Sequence, residues 1–352
     1  MSVYINSITH ISNQEPFSEQ WFENPVIYNE RYVRSVEPDY SAYIPPMVAR
    51  RMGVILKRAL ASALHVIQKT GVNNPDAIIT GTGLGCIENT EKFLTAMLDN
   101  HEELLTPTFF MQSTHNTISS QIAVYLKCKG YNSTYSHRGT SFDNALLDAF
   151  MQFQLGKIST ALINGHDELT PKYFEMLEKI GYWKGGSISL DVLRAGDTPG
   201  AFAGECSVCF MLTDKPATNN LCELAGIEML YKPTQEKLKR SLQTILKSNN
   251  LTLKDIDAIV TGISGDKAND DIYKNFHAKF FPDKPIVWYK HIFGESYTAS
   301  GLGLYVAATI LDRETFPQHL LYIQKKSITS PKRILVYNHF QGIDHSIALL
   351  RR

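Results

Sequence analysis

The stretch Asp76-Ala-Ile-Ile-Thr-Gly81 recurs almost unchanged as Asp257-Ala-Ile-Val-Thr-Gly262 in the second half of the chain. Each copy follows an amphipathic segment of helical period and a short turn, and each is followed by a glycine and a second helical segment. The offset, 257 − 76 = 181 residues, is about half of the 352-residue chain. A repeated strand–turn–helix unit at this spacing predicts one duplicated fold, and we expect its halves at residues 1–215 and 216–352.

Strand-like and helical segments alternate on both sides of each copy. The predicted strands cover residues 3–8, 76–81, 133–136, 160–164, 205–212, 223–230, 256–261, 285–288, 333–337 and 346–350. The predicted helices cover residues 47–69, 88–98, 117–126, 142–153, 236–247, 269–280 and 299–311. Strands that alternate with helices of this length predict an α/β fold. Residues 13–46 and 181–200 are rich in polar residues, Pro or Gly and are predicted as loops.

The composition excludes several classes of protein. Lys and Arg number 35 and Asp and Glu number 35, so the formal net charge is zero, and 43% of the residues are hydrophobic. A non-specific nucleic-acid binder is usually basic, so we expect no nucleic-acid partner. No uncharged apolar run approaches the roughly 20 residues of a membrane span, and the first residues lack the pattern of a signal peptide. We expect a soluble globular protein of about two domains or two coupled halves.

The cysteines indicate the compartment. They are five in number, at irregular spacing: Cys86, Cys128, Cys206, Cys209 and Cys222. An odd count without a regular spacing favours a reduced cytoplasm over a disulfide framework.

Three short motifs suggest a cofactor or a metal but lack essential parts. Gly81-Thr-Gly-Leu-Gly85 has Cys86 where a dinucleotide fingerprint needs glycine, so we interpret it as a tight turn. Cys206 and Cys209 form a lone C-x-x-C on a predicted strand, where residues three apart face opposite sides. His339 and His345 flank Asp344 and could converge across a loop, although isolated histidines are more often structural. We therefore expect no metal and no cofactor.

The segment around Gly139 has the pattern of an acyl-transfer site. A short strand at 133–136 runs into a turn, with Arg138 and Thr140 beside Gly139, and an amphipathic helix follows from Phe142. The N–H groups at the start of that helix stabilise an anion. Turns of this kind hold the nucleophile in acyl-transfer enzymes. No G-x-S-x-G sequence is present, so the α/β-hydrolase pattern has no support.

Six motifs follow one another in an order typical of one family. They are Gly81-Thr-Gly-Leu-Gly-Cys-Ile-Glu88, Lys129-Gly-Tyr-Asn132 leading to Gly139, Gly200-Ala-Phe-Ala-Gly-Glu205, Asn269-Asp270, Lys290-His-Ile-Phe-Gly294-Glu295 with Ala299-Ser-Gly301, and Asn338-His-Phe340. Together they resemble the β-ketoacyl-acyl-carrier-protein synthases of the thiolase superfamily. The resemblance covers nearly the whole chain and implies a duplicated αβαβα layered fold with two mixed five-stranded sheets. That family is also built from two duplicated halves.

The family's catalytic triad does not carry over to this chain. Its nucleophilic cysteine falls on Gly139, its first histidine on Gly262 and its second histidine on Glu295, while Lys290 and Gly294 are retained. Glycine cannot carry an acyl group, and a carboxylate would repel the enolate that two imidazoles normally stabilise. By analogy with the loss of one oxyanion donor, we expect the rate of condensation to fall by a factor of more than roughly 10³. We expect no condensing activity from this chain alone.

The resemblance implies a role as a partner subunit. Chain-length factors are ketosynthase-like subunits that lack the cysteine, pair with an active ketosynthase and shape the tunnel for the growing acyl chain. This chain resembles those of aryl-polyene or flexirubin-type systems. The expected partners are a catalytic ketosynthase, or a second copy of the chain, and an acyl carrier protein. The candidate cleft residues are His137, Arg138, Thr140, Ser141, Phe142, Lys290, Asn338 and Phe340.

Two alternatives remain open. An enzyme with changed chemistry could use His137, Ser141, Asp143 or Glu295 for acyl transfer, thioester hydrolysis or decarboxylation. A homodimeric acyl-binding scaffold would need no ketosynthase partner. Three basic pairs are candidates for contact with an acidic carrier protein, although solvated helix faces are the favoured explanation for them. They are Arg50-Arg51, Lys57-Arg58 and Lys239-Arg240.

Overall fold

The computed structural model describes residues 2–217, 220–324 and 330–352. The strands in these ranges are β1 (Tyr4–Ile11), β2 (Tyr32–Val33), β3 (Ala77–Gly81), β4 (Tyr131–Tyr135), β5 (Thr160–Asp167), β6 (Ala203–Gly204), β7 (Cys206–Thr213), β8 (Cys222–Tyr231), β9 (Ala258–Thr261), β10 (Ile286–Trp288), β11 (Leu321–Ile323), β12 (Arg333–Phe340) and β13 (Asp344–Arg351). The helices are α1 (Gln20–Glu23), α2 (Pro46–Ala49), α3 (Val54–Thr70), α4 (Ile87–Asp99), α5 (Pro107–Met111), α6 (Thr117–Leu126), α7 (Ser141–Gln154), α8 (Pro171–Lys179), α9 (Leu190–Ala195), α10 (Gln235–Ser248), α11 (Lys267–Phe280), α12 (Lys290–Phe293) and α13 (Ala299–Arg313).

The sheet contains the same five-strand pattern twice. In the first half, β3 pairs in parallel with β4 and β5, and β5 pairs antiparallel with β7. In the second half, β9 pairs in parallel with β10 and β12, and β12 pairs antiparallel with β13. β1 then pairs with β7 as β8 pairs with β13. This pattern confirms the duplication and the mixed α/β fold; the boundary at residue 215 stays a prediction.

The two expected five-stranded sheets are joined into one continuous sheet in the described part of the chain. Eleven of the described strands form this sheet, in the order β11-β10-β9-β12-β13-β8-β1-β7-β5-β3-β4, and β2 pairs with β6 in a second sheet of two strands. The two sets of five are joined because β1 and β8 pair where Tyr4 faces Glu223 and Ile5 faces Cys222. β11 adds a further strand beside β10 at one end, and β4 forms the other end.

Helices cover this sheet in layers. α3 and α6 pack on one face of the first half, and α10 and α11 pack on the corresponding face of the second half. α7 and α13 lie in a shared core with the other faces of both halves. Every residue of α13 from Ala299 to Leu311 is buried, as expected for a helix enclosed on all sides. The layered αβαβα order of the family is therefore present.

The repeated motif has a structural cause in both halves. Asp76 precedes β3 and accepts hydrogen bonds from the N–H groups of Ser159 and Thr160, where β5 begins. Asp257 precedes β9 and accepts hydrogen bonds from the N–H groups of Lys332 and Arg333, where β12 begins. The Ala-Ile-Ile and Ala-Ile-Val stretches are fully buried at the centre of each half. Each aspartate therefore aligns its central strand with the next strand of the sheet.

Several predicted elements differ in their bounds. The predicted helix 47–69 is two helices, α2 and α3. The break between them lies at residues 50–53, and α3 begins directly after Gly53. α3 ends as expected at Gly71, whose φ of 71° is left-handed. The predicted loops 13–46 and 181–200 contain the short elements α1, β2 and α9. Cys206 and Cys209 lie in cores on opposite faces of β7, as their spacing predicts, and all five cysteines are unpaired.

The described part of the chain contains no helix that is long and apolar enough to cross a membrane.

Candidate functional site

The predicted turn around Gly139 is present and its hydroxyl groups are fully engaged. Between β4 and α7 the backbone makes a short 3-10 turn from Arg138 to Thr140, and Arg138 has a left-handed φ of 48°. The Ser141 hydroxyl accepts a hydrogen bond from the His137 N–H at 2.8 Å and donates one to the Arg138 carbonyl at 2.7 Å. The hydroxyl of Ser141 therefore stabilises the turn and has no adjacent base to activate it as a nucleophile.

The loop after β3 packs directly against this turn. A Cβ atom at Gly81 would lie 2.5 Å from the backbone nitrogen of Phe142, so only glycine fits there. The Asp167 carboxylate accepts hydrogen bonds from the N–H groups of Gly83 and Leu84, both at 2.9 Å. Burial raises the pKa of Asp167 to about 7. The glycine motif is thus a tight turn held by a buried aspartate, as predicted.

The resemblance predicts the family's nucleophile position at Gly139, its first-histidine position at Gly262 and its second-histidine position at Glu295. An aromatic ring fills the space beside Gly139. A Cβ atom at Gly139 would overlap the ring of Phe340, whose Cγ lies 2.8 Å from that point. Phe340 ends β12 and its ring faces Tyr297, with 5.8 Å between the ring centroids. A cysteine side chain at position 139 therefore cannot be placed unless the Phe340 ring moves.

The first-histidine position is filled by a tyrosine. A Cβ atom at Gly262 would overlap the hydroxyl of Tyr273 and would lie 3.0 Å from Asn338 Oδ1 and 3.1 Å from Lys290 Nζ. Tyr273 is 1% exposed, and its hydroxyl accepts a hydrogen bond from the N–H of His339 at 3.2 Å. Tyr273 is therefore fixed by the neighbouring strand and occupies the space of the missing imidazole.

The second-histidine position carries a buried ion pair. Lys290 Nζ lies 2.6 Å from Glu295 Oε2, and the two side chains are 8% and 18% exposed. Burial raises the pKa of the Glu295 carboxyl, and the charge of Lys290 opposes that shift. An anion developing at this point would meet the Glu295 carboxyl where the family has a hydrogen-bond-donating imidazole, and the charge of Lys290 is paired with that carboxyl.

Little space remains between these groups. A cavity of about 30 Å³ lies between Gly139, Gly262, Lys290, Glu295 and Asn338. That is room for about two water molecules. A second cavity, of about 20 Å³, lies on the other side of Glu295 and is closed by aromatic side chains. Neither cavity accommodates a thioester and an acyl chain in the described conformation.

The structure brings together only some of the predicted cleft residues. Lys290, Asn338 and Phe340 line the 30 Å³ cavity with the three substituted triad positions. His137 and Thr140 instead line an open groove of about 420 Å³ between β4, α7 and β8, where His137 Nε2 lies 3.5 Å from Asp344 Oδ2. Arg138 is exposed, and Ser141 and Phe142 are buried.

Asp143, the other predicted acid, is enclosed in the core. It is 5% exposed, and its Oδ1 accepts a hydrogen bond from the Ser346 hydroxyl at 2.7 Å. Burial raises the pKa of Asp143. Because Asp143 does not line the cavity between Gly139 and Gly262, it offers no base to a bound substrate there.

The sequence interpretation missed two residues that fill the site. Tyr273 lies four residues after Asn269 on α11, so the helical period alone places both on one face. Tyr182 lines both cavities and belongs to the segment that we interpreted as a loop. Nothing in that segment's composition distinguishes Tyr182 from its aromatic neighbours.

The histidine pair at the C-terminus is structural. His339 and His345 face each other across β12 and β13, with 5.5 Å between their ring centroids. His339 Nε2 lies 2.9 Å from the Asn269 carbonyl, and His345 Nδ1 lies 2.8 Å from the Tyr337 hydroxyl. Burial lowers the pKa of His339 to about 3. In the described ranges no group of three or more His, Cys, Asp or Glu side chains could hold a metal ion.

Comparison with known protein families gives one match, in the N-terminal half of the chain. Residues 19–197, just over half of the chain, match the model of the beta-ketoacyl synthase N-terminal domain. No curated protein matches the sequence.

Solved structures with the same fold cover nearly the whole chain. The ishigamide ketosynthase/chain length factor is 17% identical, with a TM-score of 0.81, and covers 99% of this chain and 98% of its own. The Xenorhabdus doucetiae ketosynthase ApeO in complex with its chain length factor ApeC is 14% identical, with a TM-score of 0.77 over 99% and 98%. AntDE, a type II polyketide ketosynthase in complex with the acyl carrier protein AntF, is 12% identical, with a TM-score of 0.76 over 99% of both chains. At these identities the likeness is one of fold.

Proposed function

Because this chain belongs to the β-ketoacyl synthase family, we propose that it is a non-catalytic partner subunit of the chain-length-factor type. It acts beside an active β-ketoacyl synthase in the synthesis of a fatty-acid, polyketide or polyene chain. The observation that carries the proposal is the filling of the three triad positions by Phe340, Tyr273 and the Lys290–Glu295 ion pair. The solved ketosynthase/chain-length-factor structures of the same fold support it.

The substituted positions are occupied by side chains that the fold itself needs. Phe340 ends the strand that pairs with β13, and Tyr273 packs against Tyr337 with 5.5 Å between their ring centroids. The ion pair of Lys290 and Glu295 is buried, and removal of either member would leave an uncompensated charge. These contacts support our proposal that the side chains at the triad positions stabilise the subunit and do not catalyse a reaction.

The end of the sheet offers a surface for the partner subunit. β4 is the terminal strand, and its outer edge has no strand beside it among the described residues. Exposed apolar side chains lie on this strand and on α6, which contacts it: Tyr131 on β4 is 41% exposed and Val124 on α6 is 71% exposed. An unpaired edge with apolar neighbours is a template for pairing with a second chain. We propose that the ketosynthase subunit pairs here and that the nearby 420 Å³ groove contributes to a shared acyl tunnel.

The acyl carrier protein is the second proposed partner. Of the three basic pairs, Lys57-Arg58 is excluded as a docking pair because Arg58 is buried and forms ion pairs with Glu37 and Glu205. Arg50-Arg51 is exposed and adjoins Met47, which is 81% exposed. A basic pair beside an exposed apolar side chain suits an acidic carrier surface with an apolar contact.

The unpaired cysteines are consistent with our proposal of a cytoplasmic complex.

Co-purification with a ketosynthase tests the main proposal. The chain is co-expressed with a candidate ketosynthase that has an intact Cys-His-His triad, and complex mass and product chain length are measured. We expect a heterodimer, and we expect Val124→Ala to change the product length while exposed Leu190→Ala, on α9, leaves it unchanged. A chain that remains homodimeric beside its candidate, with no effect on product length, would contradict the proposal.

The alternative of changed chemistry loses most of its candidate residues. Ser141 is engaged in the turn, Asp143 is buried away from the cavity, and His137 is 62% exposed in a different groove. Turnover of malonyl- or acyl-carrier protein by the isolated chain, abolished by Glu295→Ala, would restore this alternative.

A homodimeric scaffold is favoured by one observation. β4 has the nearly symmetric sequence Tyr131-Asn-Ser-Thr-Tyr135. If two copies pair antiparallel about Ser133, each Tyr131 faces the partner's Tyr135, so the edge is self-complementary. Native mass spectrometry of the chain alone and with the ketosynthase distinguishes the two assemblies, since a heterodimer must displace any homodimer.

A further inference from the structure

A further cleft, which contains none of the triad positions, opens beside the N-terminal end of α3. Its volume is about 570 Å³, within the range of small-molecule sites. Its walls come from residues 34–40, α3, α4 and the loop between β5 and α8. The charged side chains lining it are Arg34, Glu37, Lys57, Arg58, Glu88, Glu91, Glu168 and Glu205. Five carboxylates therefore face three cations.

The cations of this cleft are engaged by other groups. Arg58 forms ion pairs with Glu37 and with Glu205, the latter at 2.9 Å. The Lys57 ammonium lies over the ring of Tyr40, 5.4 Å from its centroid. Arg34 lies over the ring of Tyr32 at 5.9 Å. The negative charge on the opposite wall is therefore only partly compensated from within the cleft.

That opposite wall carries Glu88, Glu91 and Glu168. Glu88 pairs with Lys92 at 2.6 Å on the exposed side of α4, and Glu91 accepts a hydrogen bond from the Thr170 hydroxyl. Glu168 is 5% exposed and accepts a hydrogen bond from the Glu88 N–H at 3.1 Å. Burial, together with the charges of Glu88 and Glu205 and against that of Arg58, raises the pKa of Glu168 to about 7. A cation placed here would relieve the repulsion.

An unsatisfied hydroxyl group at the same cleft is an independent indication of a ligand. Ser35 lines the cleft and is 8% exposed. Its N–H donates to Glu205 Oε2 at 2.8 Å, whereas its hydroxyl oxygen is buried without a hydrogen-bond partner among the described residues. A buried hydroxyl without a partner is unfavourable, and a ligand donor would satisfy it.

We propose that this cleft binds a small aliphatic polyamine, with ammonium groups on the carboxylates of Glu91 and Glu168 and near the Ser35 hydroxyl. Apolar side chains of Val54 and Leu169 would contact the methylene groups between the charges. A metal ion is the less suitable occupant, because no group of three or more metal-ligating side chains converges within the described residues.

Calorimetric titration of the isolated chain tests this proposal without any partner subunit. Spermidine is titrated at about pH 8, and we expect a Kd below about 1 mM. The double variant Glu91→Gln/Glu168→Gln should bind at least roughly tenfold more weakly, since it loses two charged acceptors. The matched control is Glu175→Gln/Glu236→Gln, which removes two exposed carboxylates elsewhere and should bind as the unmodified chain does. Thermal unfolding of each variant establishes that it is folded.

Further titrations distinguish binding at a specific site from non-specific charge attraction. Magnesium chloride should not displace spermidine at equal charge concentration, and the affinity should weaken at about pH 6, where Glu168 is protonated. Ser35→Ala should weaken binding by a smaller factor. The proposal is overturned if spermidine gives no heat up to about 10 mM, if magnesium displaces it, or if both double variants bind equally. None of these results depends on the proposed role beside a ketosynthase.

Discussion

Gly81 ends β3 and Gly262 directly follows β9, the two copies of one strand, yet the two glycines are required for different reasons. Gly81 faces backbone, because the start of α7 lies 2.5 Å from the point where its Cβ would stand. Gly262 faces side chains: the Tyr273 hydroxyl, Asn338 Oδ1 and Lys290 Nζ. A backbone neighbour cannot be exchanged by mutation, whereas a side-chain neighbour can. The first glycine is therefore fixed by the backbone of the fold, and the second is fixed by side chains that mutation can replace.

The largest expected effect concerns the backbone contact. Gly81→Ala should prevent stable folding or lower the free energy of unfolding by more than about 3 kcal/mol, because α7 must shift as a unit. Urea denaturation followed by circular dichroism measures this. The matched control is Gly185→Ala, since nothing lies within 4 Å of a Cβ at Gly185. Equal stability of the two variants would contradict the distinction between the copies.

The ion pair beside Gly262 should give the next largest effect. Glu295→Leu leaves the Lys290 ammonium buried without its partner, which should cost about 3–5 kcal/mol. The double variant Lys290→Met/Glu295→Leu removes both charges and should recover most of that loss. Equilibrium unfolding of the three proteins checks the order. A double variant as unstable as Glu295→Leu alone would show that the loss of stability does not come from the unpaired Lys290 charge.

A double-mutant cycle at Gly262 tests whether side chains alone exclude a larger residue there. Gly262→Ala should cost about 1–3 kcal/mol because its Cβ overlaps the Tyr273 hydroxyl. In the Tyr273→Phe background, which lacks that hydroxyl, the same substitution should cost about 1 kcal/mol less. The readout is the coupling free energy from four unfolding curves. A coupling near zero would show that the Tyr273 hydroxyl is not the group that excludes a larger residue at position 262.

The smallest effect compares the aspartates that hold the two loops. Asp167 accepts hydrogen bonds from N–H groups after β3, and Asp270 accepts them from Ser264 and Gly265 after β9, at 2.9 and 2.8 Å. Burial raises the pKa of Asp167 to about 7 and that of Asp270 to about 6. Both pKa values exceed the unfolded value, so the folded state binds more protons and its stability falls as pH rises.

The two pKa values predict different pH windows. From about pH 4, each aspartate should lower the free energy of unfolding by roughly 1 kcal/mol per pH unit, up to about pH 6 for Asp270 and pH 7 for Asp167. Asp167→Asn should therefore flatten the profile between about pH 6 and 7, where Asp270→Asn does not. Melting temperatures across this range provide the measurement. Identical profiles for the two variants would contradict the assignment.

The sequence predicted the duplication, the layered fold and the turn at Gly139, because strand repeats and glycine turns are local signals. That Gly139, Gly262 and Glu295 stand at the triad positions stays a prediction from the resemblance, in which Lys290 and Gly294 set the register of Glu295 and Asn269-Asp270 set that of Gly262. The sequence did not predict what fills the vacated space. Phe340 reaches Gly139 across about 200 residues of chain, and no local period indicates such a contact.

The single sheet was missed for a similar reason. The joint between the halves is two residue pairs of β1 and β8, a register that alternation of polar and apolar residues does not specify. The basic pair Lys57-Arg58 was misjudged because burial of Arg58 depends on Glu205, which lies far away in sequence. Long-range side-chain contacts account for each of these differences.

The position of β1 between β7 and β8 affects the synthesis of the chain on the ribosome. Tyr4 pairs with Thr213, so the first strand emerges and then waits until its neighbour has been translated. At roughly 5–20 residues per second, that delay is on the order of 10–40 s. Throughout this time a strand with the buried apolar residues Ile5, Ile8 and Ile11 has neither of its neighbouring strands. We therefore expect the β1 segment to be a chaperone-binding site while the chain is being translated.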